Sequence, residues 1–127
     1  MLKVLIFGTF DLLHPGHEFV INESAKLGEL HIVVARDTNV EKIKNQKPKQ
    51  DENERLEVLK KKYPDAHVQL GDSDNFLKPV REIDPDLILL GYDQELPPGI
   101  EKEYLGCSIE RLPAFEPDKW KSSLKRG

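Results

Sequence analysis

The sequence predicts an α/β fold: a single Rossmann-like domain holding a five-stranded parallel sheet with helices on both faces. Three observations lead there. Apolar runs at residues 4–7, 30–35, 67–70 and 87–90 are short and near-continuous, as in strands buried on both sides. Segments with helical spacing lie between them, so strands and helices alternate, which is the pattern of a parallel sheet with crossover connections. The length, 127 residues, suits one domain over residues 1–127 with one core, and the segment at about 114–127 reads as a mobile or incomplete end.

Taken in order, the first strand covers residues 4–7 and runs straight into Gly8-Thr9-Phe10-Asp11-Leu12-Leu13-His14-Pro15-Gly16-His17. Residues 18–27 carry Phe19, Val20 and Leu27 at helical spacing, with Gly28 as the stop. After the second strand, residues 30–35, come Arg36-Asp37 and a segment bearing Lys42, Lys44, Lys47 and Lys49, read as a mobile loop. Asp51-Glu52-Asn53-Glu54 has the form of a capping box that opens a helix through about Tyr63, closed by Pro64. The third strand, residues 67–70, is followed by a helix over about 74–83 that stops at Asp84-Pro85. The fourth strand, residues 87–90, leads to Gly91-Tyr92-Asp93-Gln94, and residues 108–112 form the last strand. In open α/β sheets ligands collect beyond the carboxyl ends of the strands, near the switch in strand order. The segments after the first, second and fourth strands are therefore expected to converge.

Composition narrows the function classes. A net charge of −4 argues against a general nucleic-acid binder, despite the local lysines. The lone cysteine, Cys107, cannot form an internal disulfide or a CxxC redox pair and reads as a small buried hydrophobe. No stretch approaches the roughly 20 apolar residues that span a bilayer, so no membrane role and a cytoplasmic location are expected. His31 and His67 begin apolar strands and read as structural.

The informative segment is residues 8–17. Two histidines flanking Pro-Gly at a strand-to-helix junction set two imidazoles beside a helix N-terminus, where unpaired N–H groups and the helix dipole favour phosphate. Gly8 and Gly16 allow close backbone approach, and Thr9 adds a hydroxyl. This segment resembles the HxGH signature of the nucleotidyltransferase superfamily, which includes cytidylyltransferases and adenylyltransferases. The likeness extends to Ala35-Arg36-Asp37, the lysine segment, Glu54-Arg55 and Leu90-Gly91-Tyr92-Asp93-Gln94. Through Val34-Ala35-Arg36-Asp37 and Gly91-Tyr92-Asp93-Gln94 the chain is most similar to the archaeal-type FAD synthases, which transfer AMP from ATP to FMN.

The resemblance implies in-line attack of an acceptor phosphate oxygen on the α-phosphorus of a nucleoside triphosphate, with pyrophosphate leaving. Catalysis is then positioning plus electrostatic stabilisation. It implies catalytic roles for His14, His17 and Lys44, and nucleotide contacts from Gly8, Thr9, Phe10, Pro15, Gly16, Lys42, Asp93 and Trp120. Asp37, Arg55, Ser122 and Ser123 are further candidates: Asp37 to orient a lysine or a metal-bound water, and Arg55 either to face the triphosphate or to form a surface ion pair with Glu52 and Glu54. The sequence shows no dedicated metal cage, so Mg²⁺ or another divalent cation is expected to arrive with ATP. A homodimer is expected from the resemblance and the small domain.

One part of the pattern departs. Cytidylyltransferases of this type carry an Arg followed by Gly-Ile-Ser-Thr-Thr near the C-terminus; here Ala114 stands at the Arg position and only Ser122 and Ser123 match the hydroxyl pair. This weakens the CTP reading and leaves room for ATP, with Trp120 available to pack near adenine. The alternatives are a CTP-dependent cytidylyltransferase for glycerol phosphate, an adenylyltransferase for a sugar phosphate or phosphopantetheine, and a nucleotide-binding regulatory protein without turnover.

Overall fold

Apolar strands meet in one sheet in the computed structural model, which describes residues 2–91, 94 and 107–113, with only the backbone of residues 43 and 44. The elements are β1 (Lys3–Gly8), α1 (Pro15–Ala25), β2 (Glu29–Val34), α2 (Asp37–Lys44), α3 (Glu52–Lys62), β3 (His67–Leu70), α4 (Leu77–Ile83), β4 (Leu87–Leu90) and β5 (Ser108–Arg111). The sheet has five strands in the order β3-β2-β1-β4-β5, and every pairing is parallel. The chain winds outward from β1 to β3, then returns past β1 to β4, so the switch in order falls between β1 and β4. Right-handed crossovers of this kind place helices on both faces, as expected from the sequence.

Alternation along the strands sorts the core into two layers. Val4, Ile6, Leu30, Ile32, Val34, Leu87 and Leu89 face one way, against Ile21 of α1 and Leu59 of α3. Leu5, Phe7, Val33, Ile88 and Leu90 face the other, against Val80 and Ile83 of α4. Cys107 packs at the edge of this second layer, half-buried, and burial, followed by the nearby Asp84 and Asp86 carboxylates, pushes its thiol pKa up. A neutral, apolar role fits it.

The structure corrects four sequence expectations. Lys42 and Lys44 do not sit on a loop: residues Asp37–Lys44 form α2, which buries Asn39 and Val40 and ends on Asn45 in the left-handed region (φ 57°), while Lys47 and Lys49 follow in the loop before α3. The run of polar residues in α2 hides a short helix. The first helix begins at Pro15, three residues before the expected start, because His14 serves as its cap and Pro15 supplies a first-turn φ. The fourth helix begins at Leu77, since the Asp72 side chain accepts the N–H groups of Asp74 and Asn75 and holds those residues in a turn. Gly28 is not the cap of α1, which is Lys26. It is glycine because a Cβ there would lie 2.1 Å from the carbonyl oxygen of Leu2, which accepts the N–H of Glu29 (2.7 Å) and seats β2 against β1. A backbone oxygen cannot swing aside, so Gly28→Ala is expected to cost about 1–3 kcal/mol, read as a lowered urea midpoint at unchanged m-value.

Candidate active site

β1 delivers the signature loop to the carboxyl end of the sheet beside the switch point. Phe10 and Leu12 both have positive φ (54° and 52°), a conformation costing on the order of 1–3 kcal/mol for a side-chain-bearing residue. The loop keeps it because Phe10 is buried in the core, lies under Gly8 and meets the His17 ring edge-on with centroids 5.5 Å apart. A Cβ on Gly8 would come within 2.6 Å of the Phe10 ring. Gly8 thus permits the turn that carries the histidines.

His14 and His17 are brought together. Their rings stack with centroids 3.7 Å apart and planes 20° from parallel. His14 Nδ1 accepts the N–H groups of Gly16 (3.1 Å) and His17 (3.4 Å), and His17 Nδ1 accepts the N–H of His14 (3.3 Å). The pair forms a reciprocal capping box made of imidazoles. Because each Nδ1 is an acceptor, the proton of each neutral ring belongs on Nε2. The arrangement therefore produces two preset Nε2–H donors at the start of a helix, where the dipole already favours an anion. A Cβ at Gly16 would sit 2.9 Å from His14 Cε1, so Gly16→Ala is expected to displace that imidazole. Turnover should fall by far more than the roughly 1 kcal/mol of stability that a lost His14 cap accounts for, a split that a general folding defect would not give.

A second layer fixes the loop from behind. Asp11 accepts the backbone N–H groups of Lys49 (2.7 Å) and Gln50 (2.8 Å), while the Gln50 side chain accepts the N–H of Leu12 (3.0 Å). Arg55, with no exposed side-chain surface, donates through Nη1 to the Thr9 carbonyl (2.8 Å), through Nε to the Gln50 carbonyl (3.0 Å) and through Nη2 to Asp37 (2.6 Å). The surface pairing with Glu52 and Glu54 is thereby corrected: Arg55 lies beneath the signature loop. Glu52 instead accepts from Arg36 (2.9 Å) and from the N–H of Asp37 (2.9 Å), and Glu54 caps α3 with Asp51. Asp37 orients Arg55 and accepts the N–H of Glu52 (3.2 Å), in place of the expected lysine or water.

Burial is the largest single influence on the Asp11 carboxyl and works against ionisation. The N–H groups of Lys49 and Gln50, with Arg55, outweigh it and hold the pKa below its ordinary 3.8. A carboxyl lowered on folding stabilises fully above its unfolded value and loses that contribution as pH falls through the native one. Asp11→Asn is accordingly expected to cost about 1–2 kcal/mol at neutral pH, half-exposed as it is. Urea titrations should show the gap to the parent protein closing as the solution is acidified.

The facing rim is built at the end of β4. Gln94 donates to the Phe7 carbonyl (3.0 Å) and accepts the N–H of Gly91 (3.0 Å), tying the ends of β1 and β4 at the switch point. Arg111, from β5, donates to the carbonyls of Gly91 (2.9 Å) and Gln94 (2.5 Å). Sequence reasoning assigned neither Gln94 nor Arg111 a role; Gln94 was visible as part of the Gly91-Tyr92-Asp93-Gln94 segment, and for Arg111 the signal was its position at the end of the last strand. Lys42 is exposed on α2. Asp93, Trp120, Ser122 and Ser123 lie outside the described residues, as does the side chain of Lys44.

Comparison with known proteins gives the family. The cytidylyltransferase-like family model matches residues 5–121. The chain belongs to that family. A protein named FAD synthase from Methanospirillum hungatei JF-1 is 38% identical, over 97% of this chain and 81% of its own length. Another FAD synthase, from Methanobrevibacter smithii, is 42% identical over 98% of this chain and 88% of its own length. Among solved structures, the lipopolysaccharide core biosynthesis protein from Thermoplasma volcanium GSS1 superposes with a TM-score of 0.79 at 37% identity, covering 91% of this chain and 99% of that one. Among the described residues, no helix is long and apolar enough to cross a membrane.

Proposed function

We propose that the chain is a nucleotidyltransferase that moves AMP from ATP to FMN, giving FAD and pyrophosphate. The observation that carries the chemistry is the stacked His14–His17 pair, both Nδ1 atoms occupied by backbone N–H groups at the first turn of α1. FMN as acceptor follows from the two relatives named FAD synthase, which match almost the whole chain.

A phosphate oxygen of FMN attacks the α-phosphorus of ATP; the bond from that phosphorus to the bridging oxygen breaks, and pyrophosphate leaves with the electron pair. The FMN phosphate is already ionised at neutral pH, so no protein base is required. His14 and His17 donate from Nε2 to the non-bridging and leaving oxygens, where negative charge grows. Gly8, Thr9, Phe10, Pro15 and Gly16 hold the triphosphate by close backbone approach, and Lys42 and Lys44, carried on α2, neutralise its outer phosphates. Asp93 serves the ribose or base, and Trp120 the adenine. Both oxygens of Asp11 and of Asp37 are already engaged by protein donors, so the described residues suit a divalent cation held mainly by the phosphates and water. Bound in that way, Mg²⁺ supplies charge neutralisation on the departing pyrophosphate.

The test is pyrophosphate release by purified protein with Mg²⁺, ATP and FMN. Lys42→Ala should raise the KM for ATP with a smaller effect on FMN, as loss of a phosphate contact requires. Release that needs no FMN, or none with FMN at any ATP concentration, would overturn the reading.

A further inference from the structure

At the opposite end of the sheet, three potential ligands share one small patch. Glu29 opens β2, and His31, two residues on, faces the same side. His67 opens β3 and is the register partner of His31, so parallel pairing brings its side chain to that side as well. One donor atom from each residue lies within 4.8 Å of the others. Glu29 Oε2 is 2.6 Å from His31 Nε2 and 3.8 Å from His67 Nε2, and the two imidazoles stack with centroids 4.5 Å apart. The sequence treated both histidines as structural.

We propose that Glu29, His31 and His67 form a site for a borderline divalent transition metal of the Zn²⁺, Ni²⁺ or Cu²⁺ class, separate from the nucleotide site. Two imidazoles and one carboxylate are ligands these ions prefer, whereas Mg²⁺ favours all-oxygen sites. Three protein ligands leave further positions to water. Bonds of about 2.0–2.1 Å to tetrahedral zinc separate ligand atoms by roughly 3.4 Å. Reaching this spacing requires the close Glu29–His31 contact to open and His67 to turn out of the stack. His31 is 13% exposed and held in place, while His67, 59% exposed, has room to move. Lys3, the register partner of Glu29, directs its ammonium to the Ile83 carbonyl (3.1 Å). An ion held here would bridge β2 to the edge strand β3 and so act on stability.

The experiment titrates the purified, chelator-stripped full chain with Zn²⁺ against a chromogenic competitor and follows Co²⁺ by its visible absorption. The expected result is one ion per chain, undisturbed by millimolar Mg²⁺, with a rise in melting temperature on Zn²⁺ addition. His67→Ala and Glu29→Gln should each weaken binding at least about tenfold and remove the thermal shift. His67 is on the surface, so its variant is expected to fold. Binding unchanged in His67→Ala, or lost instead in a His14→Asn/His17→Asn variant or in Cys107→Ser, would overturn the proposal, as would no binding above that of the competitor.

Discussion

His14→Asn is expected to abolish most FAD synthesis while leaving the fold intact. The two nitrogens of the ring have separate tasks. Nδ1 accepts from Gly16 and His17 and caps α1; Nε2 is left with the proton that would meet a phosphate oxygen. Asparagine reproduces the cap acceptor but not the distant donor, so kcat should fall by about 10²–10³-fold, the usual cost of removing one donor from a developing oxyanion. Melting temperature should barely change. His14→Ala loses both functions and should show the same kinetic defect plus about 1 kcal/mol of lost stability. His14→Gln is the informative counterpart, because its amide reaches toward the Nε2 position and forfeits the cap. It should recover part of the turnover at lower stability. Full activity in His14→Asn would remove His14 from the chemistry.

Arg55→Met is expected to have the largest effect on stability. The guanidinium has no exposed surface and joins three separate segments: the signature loop at Thr9, the turn before α3 at Gln50, and α2 at Asp37. Breaking a buried ion pair by removing one partner costs about 3–5 kcal/mol, because the other charge and the accepting carbonyls are stranded. Asp37 keeps some contact with water, which favours the lower end of that range. If the stranded carboxylate is the main cost, Arg55→Met/Asp37→Leu should be more stable than Arg55→Met alone. Urea denaturation of the four proteins in this cycle measures the coupling. A loss below about 1 kcal/mol in the single variant would show that the loop is held by the Asp11–Gln50 clasp and Phe10 instead.

These two residues also show how far the sequence could be read. His14 was legible because its evidence is local: ten consecutive residues between a strand and a helix carry the pattern. The four short apolar runs were legible for the same reason, as was the Asp51–Glu54 capping box. Arg55 was visible as a candidate, but its partners lie 46 residues back at Thr9 and 18 back at Asp37, and no local pattern reports a carbonyl brought over by folding. α2 was missed because it is only eight residues long and its lysines read as a solvated loop. The use of His14 as a cap was hidden because histidine is an uncommon cap, and it is recruited here by Pro15 and the reciprocal bond to His17. The Glu29–His31–His67 patch depends on the register of β2 with β3, which strand composition alone leaves open.

A competition in one vessel distinguishes the acceptors and the nucleotides most directly. Purified protein with Mg²⁺ is given ATP, CTP, FMN and glycerol phosphate together, and the products are identified by mass. FAD should be the dominant nucleotidyl product, formed in step with pyrophosphate. CDP-glycerol, or any cytidylyl product in place of FAD, would contradict the transfer of AMP to FMN.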